Sequence, residues 1–226
     1  DNPHAKVVWI HSGKMSLKKG LISYIKDKIL YIKIPSWSTP NLDEGLRFSK
    51  NLIKLCQRKT RKYNGIIIDV RDNQGGNSNV AHEFAGIFFD VNVEFGTLVE
   101  KFRGSLKKRT YILKKNGTIY IDTPIIIFIN NKSFSSNELF IAPFKTSGRA
   151  ILVGEKTRGG SANPLNIEFK LDSKKYSARI PRWRFYLEGK NKPIEETGIA
   201  PDFTYYKQDI VDFSIKHYWE LVHKQT

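Results

Sequence analysis

Apolar residues along this chain fall into three spacings. The first is the run rich in β-branched residues, at Ile66–Val70 with Asp69 inside it, at Ile125–Ile129, which is unbroken, and at Ile151–Val153. Such runs mark strands buried on both faces. The second is helical spacing. Leu46, Phe48, Leu52, Ile53 and Leu55 predict an amphipathic helix over Leu46–Arg58, with lysines and arginines outward. Leu139, Phe140, Ile141 and Phe144 predict another over Asn137–Thr146, closed by Ser147-Gly148. A helix is expected over Val80–Phe89, and an amphipathic one over Ile210–His223 closes the chain. The third spacing is the strand pair around a polar turn. Leu21–Lys26 and Ile29–Ile34 flank Asp27. Arg109–Leu113 and Thr118–Ile121 flank Asn116-Gly117, a dipeptide that favours tight hairpin turns. Asn166–Leu171 and Lys175–Ile180 flank Asp172-Ser173-Lys174, and Tyr176, Ala178 and Ile180 alternate as in a half-buried strand. Val7–Ile10 and Phe95–Val99 read as short strands. Buried strands alternating with helices indicate an α/β fold.

Composition narrows the class. A chain of 226 residues, 40% apolar and 27% charged, suits one domain with a sizeable core. One cysteine, Cys56, excludes an internal disulfide and a Cys-rich zinc site. No apolar run is long enough to span a membrane. Asp1 stands where a Met would, so a mature form or fragment is expected. The net charge of +16 comes from lysines spread along the chain, densest over Lys101–Lys115. No nucleic-acid motif accompanies them, and a generally basic surface is the expectation, with no nucleic-acid partner.

Candidate chemistry gathers where strands break into helices. After Ile129 the chain reads N-N-K-S-F-S-S-N-E-L-F, which sets Ser135 and Ser136 at a helix start. Unpaired N–H groups and the helix dipole there favour developing negative charge. By itself, a serine in that place is an N-cap. After Val70 the chain reads R-D-N-Q-G-G, and the two glycines permit close approach to a ligand.

S-S-N-E-L-F followed by G-R-A-I-L-V-G-E-K-T-R-G-G resembles the C-terminal processing (tail-specific) peptidases and the catalytic core of the tricorn protease. The resemblance spans three separated motifs in family order. In that family the nucleophile lies three residues before an acidic residue that opens the helix, which from Glu138 implies Ser135. The processing-peptidase branch carries a catalytic Lys where this chain has Gly160. The T-R-G-G form looks like the tricorn branch, which uses Ser, His and an acidic partner. D-V-R-D-N-Q-G-G matches the family's D-x-R-x-N-x-G-G element. The resemblance implies an oxyanion hole from a glycine N–H, Gly76 in preference to Gly75, and the Ser136 N–H; Arg71 and Asp72 brace the loop. Asn2-Pro3-His4-Ala5 looks like the family's His element, so His4 is the implied general base; His11 and His82 are its rivals. Aligning I-E and G-I-A-P-D puts Glu195 at the acidic position, with Glu196 in place of the usual Gly.

The resemblance implies a ClpP/crotonase-like fold, with β-β-α units winding into a superhelix. It implies one serine-peptidase core over residues 1–226, with 1–28 the end of a truncated N-terminal region and no PDZ domain. The implied activity is hydrolysis of peptide bonds in protein or peptide substrates by Ser135, His4 and Glu195, with no metal or organic cofactor. An exported or cell-envelope location is implied as well; the oligomeric state stays open. The alternative is a catalytically inactive relative that binds peptides or small ligands, which Pro3 before His4 and Gly160 in place of Lys favour.

Overall fold

The computed structural model describes residues 6–7, 21–59, 62–161 and 163–223. In chain order the elements begin with β1 (Lys6–Val7), β2 (Ile22–Lys26), β3 (Ile29–Lys33), α1 (Leu42–Lys59), β4 (Gly65–Asp69) and α2 (Ser78–Ala85). Next come β5 (Val93–Phe102), β6 (Ser105–Leu113), β7 (Ile125–Ile129), α3 (Ser136–Ser147) and β8 (Ile151–Gly154). The chain closes with β9 (Leu165–Leu171), β10 (Lys174–Ile180), β11 (Trp183–Leu187), α4 (Ile194–Thr197), β12 (Phe203–Thr204), α5 (Ile210–Lys216) and α6 (Tyr218–His223).

The main sheet has the order β1-β2-β3-β4-β7-β8-β12. From β3 to β12 the pairs are parallel; β1, β2 and β3 pair antiparallel. Asp27 and Lys28 have φ of 50° and 60°, as a two-residue hairpin turn requires. Alternate residues of the apolar runs serve two cores. Ile66, Ile68, Ile125, Ile127, Ile129 and Leu152 join one with α2 and α3. Ile67, Ile126, Phe128, Ile151 and Val153 join the other with Ile210, Ile215, Tyr218 and Leu221 of the closing helices. The mixed α/β class is therefore as the runs predict, with both sheet faces covered. A second, antiparallel sheet has the order β11-β5-β6, and β9 and β10 form a ribbon of two.

Four expectations need correction. The Asn116-Gly117 hairpin does not form: β6 pairs with β5 across Arg103-Gly104, and residues 118–121 are not a strand. The Asn116 N–H instead donates to Gly86 O (3.0 Å) and its side-chain amide to the Glu83 carbonyl, while Ile121 N–H donates to Ile87 O (2.8 Å). Tertiary bonds to the end of α2 thus capture the segment. The β10 strand is exposed rather than half-buried, because no layer covers the ribbon among the described residues. The helix from Ser78 ends at Ala85 and tightens into a 3-10 turn over Gly86–Phe88. The closing helix breaks at His217 into α5 and α6. Of the strand expected at Val7–Ile10, Val7 pairs with β2 as part of β1; the rest lies outside the described residues.

Candidate functional site

Parallel pairing of β4 with β7 brings two loops to the same, carboxyl end of the sheet, where open α/β sheets place ligands. The loop after β7 carries Ser135; the loop after β4 carries Gly75 and Gly76. They are stitched together: Phe134 N–H donates to Asn73 O (3.1 Å), Ser133 Oγ to Val70 O (2.9 Å) and Asn137 Nδ2 to Val70 O (3.0 Å). Buried Trp37 closes the far side, donating its indole N–H to Asn137 Oδ1 at 3.0 Å.

Ser135 caps α3 with φ 61° and ψ −128°. Positive φ at a non-glycine residue is a strained conformation, costing about 1–3 kcal/mol, and such residues cluster at functional sites. A sharp strand-to-helix turn of this kind lifts a serine hydroxyl clear of the sheet. Its N–H donates to Glu138 Oε2 at 3.1 Å, the carboxylate half of a capping box.

The two glycines differ in what they can offer. Gly75 N–H is engaged by Asn73 Oδ1 at 2.9 Å. Gly75 also lies so close to the corner that a Cβ on it would sit 2.8 Å from Ser135 Cβ and 3.0 Å from Ser136 N. Gly76 forms a parallel bridge with Trp37 in which the bonds are made by Gly75 O (from Trp37 N–H, 3.0 Å) and Asn77 N–H (to Trp37 O, 3.1 Å). That pattern turns the Gly76 peptide groups away from Trp37, and its carbonyl accepts the Ser136 hydroxyl at 2.6 Å. With φ 139°, and a Cβ that would meet Ser38 N at 2.2 Å, only glycine fits there. The Ser136 N–H belongs to the first turn of α3, where no helical acceptor exists.

Two carboxylates hold the surroundings. Glu138 is fully buried; its Oε1 accepts Thr157 Oγ1 (2.6 Å) and Gly159 N–H (2.9 Å), so it ties the serine corner to the T-R-G-G loop. Burial pushes its carboxyl up to about 7, against the pull of the hydrogen bonds from Thr157, Gly159, Ser135 and Gly160. The capping-box spacing is visible in the sequence, but the loop partners are not. Glu195, half-buried in α4, takes the N–H and hydroxyl of Ser161 on Oε1 (3.1 and 2.8 Å) and the Phe185 N–H on Oε2 (3.0 Å). Three donors on a carboxylate with about four lone-pair sites leave Oε2 able to accept one more. Neighbouring Glu196 is exposed and pairs with Arg184 at 3.1 Å.

The remaining candidates separate cleanly. His82 is packed against Phe95 and Tyr111, with Nε2 3.3 Å from Leu139 O, and burial pushes its pKa down to about 4. It is a half-buried imidazole, neutral at pH 7. Arg71 forks onto buried Asp69 (2.9 and 2.7 Å), which also accepts Tyr31 OH at 2.6 Å; Asp72 N–H donates to Asn130 Oδ1 at 3.0 Å. Both residues brace the loop. At Gly160 a Cβ would meet the Phe134 ring at 2.3 Å, so that ring fills the space a lysine side chain would need. His4 and His11 lie outside the described residues.

The family model described as Peptidase family S41 matches residues 28–205. The carboxyl-terminal-processing protease of Picosynechococcus is 26% identical over 78% of this chain and 39% of its own length. The tricorn protease of Thermoplasma volcanium is 26% identical over 82% of this chain and 16% of its own. The chain thus spans under two fifths of either curated relative. Among solved structures, mature CPAF superposes with a TM-score of 0.76 at 14% identity, covering 96% of this chain and 56% of that one, a likeness of fold.

Proposed function

This chain belongs to peptidase family S41, and from that premise we propose that it is the catalytic core of a serine endopeptidase using Ser135, His4 and Glu195. Ser135 Oγ attacks the carbonyl carbon of a peptide bond as His4 takes its proton. The oxyanion is held by the Gly76 and Ser136 N–H groups. Collapse breaks the C–N bond, His4 returns the proton to the leaving amine, and water, activated by the same imidazole, releases the acid. Glu195 orients His4 through its remaining lone pair and stabilises the imidazolium. The observation that carries this reading is the strained corner itself: Ser135 at positive φ on a helix N-terminus, with Gly75 packed too close for any side chain. The Phe134 ring under Gly160 favours histidine over a lysine at that position as base.

The substrates are proteins or peptides, with no nucleic-acid partner, and the location is exported or envelope-associated; among the described residues no helix is long and apolar enough to cross a membrane. The architecture is the ClpP/crotonase-like β-β-α winding, in a single core over residues 1–226. A fluorophosphonate probe is expected to label wild-type protein, and Ser135→Ala to abolish labelling. Persistent labelling of that variant overturns the nucleophile. Absence of peptidase activity in wild type as in His4→Ala would leave the inactive binding relative.

A further inference from the structure

The β9–β10 ribbon is rooted in the candidate site. Ser161, just before it, is held on Glu195, and the Trp183 indole just after it donates to Ser161 O at 2.9 Å. Gly159, two residues upstream of Ser161, shares Glu138 with Ser135. Beyond this root, among the described residues, the strands pair only with each other, from Leu165↔Ile180 to Leu171↔Lys174. Among the described residues both outer edges therefore carry unpaired backbone groups, ready to template another strand.

The ribbon's faces differ. Leu165, Ile167, Phe169, Leu171, Tyr176 and Ile180, each 41–58% exposed, share one face, with Lys174 at its turn end. Phe169 and Tyr176 stack across it at 5.7 Å. The opposite face carries Lys170, Lys175 and Arg179 with Glu168, and the whole Leu165–Ile180 segment has four basic residues against two acidic.

We propose that this ribbon is the docking strip for the extended polypeptide that the Ser135 site cleaves, and that it selects segments with apolar residues at alternate positions and acidic residues between them. This rests on the proteolytic reading above. A chain added at a free edge sets alternate side chains beside alternate faces of the ribbon. Its apolar side chains extend the apolar face, and its carboxylates lie beside Lys170, Lys175 and Arg179. Ladder hydrogen bonds supply sequence-tolerant affinity and the two faces supply selection. Charge complementarity with a chain of +16 points the same way. A second copy is a poorer fit by area. Strands of this length, about 23 Å, and about 10 Å across the pair, offer on the order of 230 Å², against about 800 Å² per partner in a stable complex.

The test uses the Ser135→Ala chain, which does not consume the probe. A fluorescein-labelled peptide of about twelve residues alternating Val and Glu, and its counterpart with Lys for Glu, are titrated by fluorescence anisotropy. The acidic peptide is expected to bind at least about tenfold more tightly. Adding Ile167→Ser with Phe169→Ser is expected to weaken it by a similar factor at unchanged Tm. Equal affinity for the two peptides overturns the proposal without any ribbon variant, as does no binding by either. So does a ribbon variant that leaves peptide binding intact but abolishes sedimentation with phosphatidylglycerol vesicles, or dimerisation. Fluorophosphonate labelling of the wild type is read separately. Labelling without peptide binding sinks the strip alone; peptide binding without labelling sinks the chemistry alone.

Discussion

The corner at Ser135 and the ribbon at β9–β10 lie close in sequence and are built on opposite plans. At the corner nearly every polar group is spoken for: Glu138 serves the Ser135 N–H, Thr157 and Gly159, while Asn73 and Asn137 lock the neighbouring loops. In the ribbon, among the described residues, the strands pair only with each other and the large apolar side chains are about half exposed. On the proposed reading, the difference divides the work between them. Donors that stabilise a transition state must be aimed beforehand, so their surroundings are rigid and buried. A surface that accepts varied extended chains needs free edges and can carry little of the fold's stability.

The largest effect is expected on the rigid side. In Gly76→Ala the new Cβ would sit 2.3 Å from Trp37 C and 2.2 Å from Ser38 N, at φ 139°. The loop must shift and carry the Gly76 N–H out of line. Loss of one oxyanion donor corresponds to a fall of about 10²–10³-fold in turnover. Initial rates on a peptide substrate check this; wild-type turnover in the Gly76→Ala variant would remove Gly76 from the hole.

The next effect separates two titratable groups near the corner, Glu138 buried and His82 half-buried. Glu138, raised to about 7, holds a proton in the folded state that the unfolded chain has released, so its contribution to stability falls as pH rises from 4.5 toward 7. His82, lowered to about 4, stays neutral while the unfolded chain takes up a proton, so its contribution rises with pH from 4 toward 6.5. Over the window they share, the slopes oppose. His82→Phe is expected to unmask the fall and Glu138→Gln the rise, each on the order of 2 kcal/mol across that window. Urea midpoints at both ends measure it, and parallel profiles for both variants would contradict the assignment.

How far the sequence can foresee these regions follows from the range of the forces. The β7 strand is Ile125–Ile129 as the apolar run predicts, because burial on both faces writes itself into consecutive residues. The Asn116-Gly117 hairpin fails because tertiary bonds to Gly86, Glu83 and Ile87 outweigh a local turn signal. The real turn, Arg103-Gly104, lies in a basic run without apolar alternation to announce it. Ser135 and Glu138 are legible together as a capping spacing; that Thr157 and Gly159 meet Glu138 is not, since nothing local encodes a contact across a strand and a loop. Glu195 sits in a helix of 4 residues, too short for periodicity, and only the family motif marks it. The ribbon's alternation points correctly to strand and wrongly to half-burial, because alternation reports two unlike faces and not whether anything covers the apolar one.

The smallest effect, that at Ile167, turns on that last point. Ile127 and Ile167 are the same residue type in strands of similar length, 0% and 41% exposed. Replacing each by Thr keeps the β-branched shape and exchanges a methyl-bearing arm for a hydroxyl. At Ile127 the hydroxyl is buried in the core beneath α3 and forfeits packing as well, a cost of about 1–3 kcal/mol from desolvation alone. At Ile167 the hydroxyl stays in water, and what is lost is the cross-strand contact with Ala178 in the ribbon register, at most a few tenths of a kcal/mol. Chemical denaturation of the two variants measures the gap directly. Comparable losses at the two sites would mean that the ribbon's apolar face is covered within the folded chain. It would then be part of the core rather than an open strip.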